Sequence, residues 1–133
     1  MANLKDNAIT LLASATVDLQ NGDGKTTVYT VPAGKAAIVT HVVIRNPTAS
    51  LDSGGTGDFD FGDGANADTW LNAVDLDTLT AATDYIVLPV VGVHTMTKFT
   101  VFDAGDEFGV KPVTGATLDA QATMDVFGYE YDV

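Results

Sequence analysis

KAAIVTHVVIR, running from Lys35 to Arg45, is the stretch that decides the fold. It holds β-branched residues without an internal glycine or proline, a composition that fits a pleated, half-buried strand. It is bracketed by two turn signals, Pro32-Ala33-Gly34 before it and Asn46-Pro47 after it. Successive strand side chains point to opposite faces, so Ile38, Thr40, Val42 and Ile44 share one face, and Lys35, Val39, His41, Val43 and Arg45 share the other. The first face is expected to be core. The second mixes apolar and charged groups, which suits a face partly covered by a loop or by another subunit.

Similar short runs lie on both sides: Ile9 to Leu19, Thr26 to Val31, Phe59 to Phe61, Tyr85 to Val91, Lys98 to Asp103, Phe108 to Val113 and Ala122 to Tyr131. Turn signals separate them, among them Asn21-Gly22-Asp23-Gly24, Ser53-Gly54-Gly55, Ala104-Gly105-Asp106 and Thr114-Gly115. Their spacing is that of sandwiches and barrels. The count is about eight strands. In Asp58-Phe59-Asp60-Phe61 the phenylalanines are expected to point inward and the aspartates outward, and Phe99 with Val101, Phe108 with Val110 and Met124 with Val126 are expected inward pairs. Helix is admitted only from about Asp63 to Thr83, where Trp70, Leu71 and Val74 fall at helical spacing. Trp70, Asn72, Val74 and Leu76 also alternate as a strand would.

Composition points the same way. Of 18 acidic residues among 133, sixteen are Asp, with 16 Val and 18 Thr. Asp favours turns and caps, and Val and Thr favour strands, so the fold class is all-β. The formal net charge of −12 disfavours nucleic acid and anionic membrane surfaces as partners. The absence of cysteine removes thiol nucleophiles, zinc ribbons and disulfide frameworks. The most apolar stretch, Tyr85 to Val93, is too short for the roughly 20 residues of a membrane helix. Ala13-Ser14-Ala15 imitates a signal-cleavage site, but Ala8 to Leu12 is shorter than a signal core of roughly 7–15 residues. The chain is therefore expected to act where it is made, or in an assembly built there.

Residues of chemical character invite specific readings. Asp52-Ser53-Gly54 matches the tripeptide of aspartic proteases, whose chemistry needs two carboxylates sharing a proton; a second copy is lacking, so a glycine-rich turn is the reading adopted. Asp58, Asp60, Asp63 and Asp68 offer hard oxygen ligands to calcium. Alternation puts Asp58 and Asp60 about 7 Å apart on one face, but the spacing fits neither an EF-hand nor a repeat-in-toxin loop, and solvated turn acids are the plainer account. His41 and His94 lack metal-ligand spacing. Ser14, Ser50 and Ser53 occupy no nucleophile elbow, and no phosphate-binding or dinucleotide fingerprint occurs. Asn46-Pro47-Thr48 is barred from glycosylation by its proline. The expectation is a non-enzymatic protein with no cofactor and no metal.

The stretch Val28 to Asn46, VYTVPAGKAAIVTHVVIRN, resembles a segment of small virion proteins of tailed bacteriophages. The end of the chain, Ala104 to Val110 (AGDEFGV) and Ala122 to Tyr131 (ATMDVFGYEY), looks like the closing strands of the same jelly-roll-like sandwiches. The resemblance, covering about a third of the chain, points to a head decoration, or cement, protein with a jelly-roll-like antiparallel β-sandwich. It implies a homotrimer on the capsid exterior, made in the host cytoplasm and bound over neighbouring major capsid subunits. It carries no specific binding residues. The sequence itself divides into an N-terminal arm, residues 1–10, and a sandwich domain, residues 11–133. The arm has little core-grade hydrophobicity and is suited to adding a strand to a partner's sheet edge, with Ala2, Asn3, Leu4 and Lys5 as contacts and Leu4 as anchor. A second class is a carbohydrate- or receptor-binding module of a tail or fibre, calcium-dependent through the Asp58 to Asp68 stretch. There Trp70, Tyr29, Tyr85, Tyr129 or Tyr131 would present aromatic faces to a sugar.

Overall fold

The computed structural model describes residues 8–96 and 99–133. Their regular structure consists of nine strands: β1 Thr10–Asp18, β2 Thr26–Thr30, β3 Lys35–Arg45, β4 Asp58–Gly62, β5 Leu71–Val74, β6 Tyr85–Leu88, β7 Val101–Asp103, β8 Glu107–Thr114 and β9 Gln121–Asp132. They form two antiparallel sheets. The first runs β1-β9-β3-β6, with β7 also paired to β3, and the second runs β2-β8-β4-β5. The pairings are nested, β1 with β9, β2 with β8, β3 with β6 and β4 with β5. This is a long hairpin rolled across two sheets, the winding of a jelly roll. The short strand β7 is the addition, set beside β3 at the end that β6 leaves free.

The two sheets close on an apolar core. Phe59, Phe61, Phe102, Phe108, Val39, Val42, Ile44, Met124 and Val126 are all buried. Phe108 meets Trp70 and Phe102 edge-on, with ring centroids 5.6 and 5.4 Å apart, the geometry that aromatic quadrupoles favour. Tyr29 of β2 donates its hydroxyl to Glu130 of β9 at 2.7 Å, tying one sheet to the other. Burial, with the neighbouring Glu130 carboxylate adding to it, raises the Tyr29 phenol well above its ordinary value.

β3 has the bounds its sequence suggested, but its faces differ from simple alternation. Its register against β9 shifts between Val39↔Gly128 and His41↔Phe127, which makes Thr40 the extra residue of a bulge. Ala37 and Val39 therefore point inward before the bulge, and Val42 and Ile44 after it. Ile38 and Thr40, expected in the core with Val42 and Ile44, are only half-buried, and Val39 is inside. β1 has a bulge at the same level, between Leu11↔Phe127 and Ala13↔Val126. The centre of β9 is thus flanked on both sides by strands with one residue to spare.

Of the helix and the strand that residues 63–83 both admit, the structure forms the strand, β5, between two loops. Two further expectations are corrected. Phe99 and Val101 are half exposed rather than inward, because β7 pairs Phe102 with the inward Ala37 and buries Phe102 instead. The strand expected from Tyr85 to Val91 stops at Leu88, where Pro89 follows without an N–H to continue a ladder. Phe59 and Phe61 are inward, as are Phe108, Val110, Met124 and Val126.

Candidate interaction surface

Residues directly opposite each other on antiparallel strands share a face, so the register maps the outward side of the first sheet. Leu11, Phe127 and His41 form one row, Tyr129, Ile38 and Val101 a second, and Val43 with Val87 a third. The bulges of β1 and β3 are what bring Leu11 and His41 onto the level of Phe127. The His41 ring lies flat on that of Phe127, with centroids 4.5 Å apart and planes 5° from parallel. These rows put an apolar and aromatic patch on a face that also carries Ser14 and Asp125, in the row of Val43, and Thr16, Thr123 and Arg45 beyond them.

Its one buried acid is neutralised. Asp125 of β9 is 8% exposed; it accepts from the Ser14 hydroxyl at 2.6 Å and from Arg45 Nε at 2.8 Å. Burial works to raise the Asp125 carboxyl, but the bonds to Arg45 and Ser14 outweigh it and hold the pKa below the ordinary value, while Arg45 is raised by the same pairing. A carboxyl depressed in the folded state stabilises the fold above its unfolded pKa, and that contribution is lost as pH falls through the folded pKa. Arg45→Met leaves Asp125 with Ser14 alone. The variant is expected to be less stable than wild type at neutral pH and to unfold at a higher pH on acidification, with the two proteins converging once Asp125 is protonated in both. Acid titration followed by circular dichroism checks this; superimposable curves would show that the ion pair contributes nothing.

Along the far edge of the sheet the chain stays uncharged or basic. No Asp or Glu occurs from Tyr85 to Phe102, whereas Asp52 to Asp84 carries eight acids. Tyr85, Val87, Val91, Val93, Phe99 and Val101, all in this acid-free run, are 45% exposed or more, and Val91 is 98% exposed. His94 shapes the connecting loop: its Nδ1 accepts from the Val90 amide at 2.8 Å, and burial lowers its pKa. Between this edge and β5 lies a cavity of about 380 Å³ lined by Ile86, Val90, Val93, His94, Ala73, Asp75 and Thr78.

The acidic stretch builds loops. Asp52 accepts from the Gly54 amide at 2.8 Å and Ser53 donates to Asp77 at 3.0 Å, so the protease-like tripeptide is a self-bonded turn. Asp63 accepts from the Thr69 hydroxyl at 2.5 Å, and Asp60 from the Ala73 amide at 2.9 Å. Asp60 is raised chiefly by burial and also by the nearby carboxylate of Asp58. Asp58, Asp60, Asp63 and Asp68 are not gathered into a cation site, and among the described residues no three His, Asp or Glu side chains converge as one. His41 and His94 serve separate parts of the first sheet. Trp70 and Tyr29, candidates for sugar stacking, are each only 6% exposed, which leaves Tyr85 as the one fully presented aromatic of that set. Ala2, Asn3, Leu4 and Lys5 lie outside the described residues. The edge valines escaped the sequence reading, although their signal was present as the longest apolar run and as a gap in the distribution of acids.

No protein-family model matches the sequence, and no curated protein matches it. Solved structures do share its fold. A chain of the acidic stable capsid structure of Helicobacter pylori bacteriophage KHP30 aligns with a TM-score of 0.56 at 13% identity, over 96% of this chain and 99% of that one. A chain of the cyanophage Pam1 capsid asymmetric unit aligns with a TM-score of 0.55 at 17% identity, over 92% and 85%. At such identities the likeness is one of fold: this sandwich, nearly end to end, is the fold of chains found in two phage capsid structures.

Proposed function

We propose that the protein is a non-enzymatic phage virion component that decorates the capsid exterior, bound as a homotrimer over neighbouring major capsid subunits and stabilising them. The observation that carries this reading is the agreement in fold over almost the whole of both chains with a chain of a phage capsid structure. The surface supports it. A sheet face with an apolar patch, whose buried acid is paired with Arg45, on a protein of net charge −12 favours docking through that patch, while the acidic loops keep densely arrayed copies from aggregating. The residues of chemical character form turns and packing contacts, an arrangement suited to a structural role.

The arm of residues 1–10 is the proposed attachment element, with Ala2, Asn3, Leu4 and Lys5 meeting the capsid protein by strand addition. Deleting residues 1–8 is expected to leave the unfolding free energy within about 0.5 kcal/mol of wild type and to reduce co-sedimentation with empty heads at least tenfold. Undiminished attachment would remove the arm from the proposal. Failure of the full-length chain to bind heads at all would remove decoration itself.

A further inference from the structure

Among the described residues the first sheet ends on both sides in a strand with a single neighbour: β1 pairs only with β9, while β6 and β7 pair only with β3. Such edges invite further pairing and are normally blunted by charge or covered. Here each edge is charge-poor along most of its length, the acids of its strands standing at their ends, Asp18 closing β1 and Asp103 closing β7. Ala8 to Val17 contains no charged residue, and Tyr85 to Phe102 contains no acid. Both edges also expose apolar side chains, Ile9 at 48% and Leu11 at 54% on one side, and Val91 at 98%, Val93 at 72% and Tyr85 at 69% on the other.

We infer that the β6–β7 edge of one copy receives the β1 edge of the next, so that copies of this chain join head to tail into a closed ring. The inference rests on the homotrimer of the proposed function and names the surface that forms it. Charge selects the occupant. Each copy carries −12, so two copies approach at least electrostatic cost through the acid-free stretches of these edges, Ala8 to Val17 and Tyr85 to Phe102, with most of the acids of residues 52–84 left facing solvent. The two edges lie on opposite sides of one sheet. A contact between unlike patches is heterologous, and it forms a ring when its rotation closes. The exposed parts of Tyr85, Val87, Val91, Val93, Phe99 and Val101 amount to on the order of 600 Å², most of the roughly 800 Å² that one partner contributes to a standard interface. The cavity of about 380 Å³ behind Val93 gives this edge a concave socket in which Ile86, Val90 and Val93 stand beside Asp75, Thr78 and His94.

Native mass by light scattering, with cross-linking, tests the inference on the full chain. Wild type is expected at three times 13.8 kDa. Val91→Asp with Val93→Asp, both on exposed side chains, is expected to run at the mass of one chain and to keep wild-type circular dichroism and a cooperative unfolding transition. The protein has no native cysteine, so single thiols can be introduced cleanly. A copy carrying Val87→Cys mixed with a copy carrying Leu11→Cys should be joined by a short bismaleimide. Cross-linking of Val87→Cys only to itself would indicate a two-fold contact and overturn the ring. An unchanged mass for the folded double variant would overturn the surface. A monomeric wild type whose binding to empty heads is abolished by Val91→Asp with Val93→Asp would give the edge to the capsid subunit instead; the inference then fails while decoration stands.

Discussion

Gly128→Ala and Gly109→Ala are each expected to destabilise the fold by about 3 kcal/mol or more, at the upper end of what overpacking a well-filled interior costs. A Cβ on Gly128 would lie 1.9 Å from the Ile38 carbonyl oxygen and 3.0 Å from the Val39 Cα; on Gly109 it would lie 2.1 Å from the Thr26 carbonyl oxygen and 2.9 Å from the Thr27 Cα. The obstructing atoms are backbone, so no rotamer change relieves the contact. The two glycines occupy equivalent situations in the two sheets. Gly128 pairs with Val39 immediately before the register shift in β3, and Gly109 pairs with Thr27 immediately before the shift in β2. In each case a strand with an extra residue bends toward its partner, and only a residue without Cβ fits beneath the bend. Substitution would push β9 from β3 in the middle of the first sheet, or β8 from the edge strand β2 in the second. Gly55→Ala is the control. Its Cβ would meet nothing within 4 Å, and a change within about 0.5 kcal/mol is expected. Urea unfolding of the three variants checks the ranking, and a Gly128→Ala protein as stable as Gly55→Ala would show that the strands separate freely there.

These bulges also mark where the sequence stopped being legible. The strands themselves were readable because Val, Ile and Thr runs between Gly, Pro and Asn turns leave few other options, and β3 runs from Lys35 to Arg45 as its composition suggested. A bulge adds one residue to the period without altering composition, so Ile38-Thr40-Val42-Ile44 reads as one continuous face although the structure breaks it at Thr40. The same effect produced the helical signal between Asp63 and Thr83. Leu71 and Val74 are both inward at a spacing of three because β5 carries a bulge between its pairings with Phe61 and Phe59, and Ala73 absorbs it with a φ of 53°. β4 has no such insertion between Phe59 and Phe61, and there alternation held. The interaction surface was less legible than the fold. Tyr85 to Val93 reads in the sequence only as an apolar run too short for a membrane helix; its meaning depends on β6 and β7 lying at a sheet edge, and edge position comes from strand order, which local pattern does not encode.

Trp70 is expected to be the most sensitive side chain of the core, and the reason is again the bulge in β3. Its indole Nε1 donates to the Val39 carbonyl at 3.0 Å, a buried bond across the sandwich, to a residue beside the register shift of the strand. Its ring meets Phe108 edge-on. Trp70 thus fastens the second sheet to the irregular point of the first, filling space and pairing a buried acceptor at once. Trp70→Phe retains an aromatic but leaves that carbonyl without its indole donor and part of the volume empty, a loss of about 2–4 kcal/mol. Trp70→Ala is expected to lose about 3–5 kcal/mol. Leu118→Ala, on a side chain 53% exposed and away from the β6–β7 edge, should stay within about 0.5 kcal/mol. Thermal unfolding followed by circular dichroism distinguishes these, with the Phe variant roughly 10 °C below wild type. If Trp70→Phe matches wild type, the indole bond to Val39 contributes nothing and the bulge is held by strand pairing alone. If Trp70→Phe and Trp70→Ala fall together, the bond rather than the packing accounts for the side chain's role.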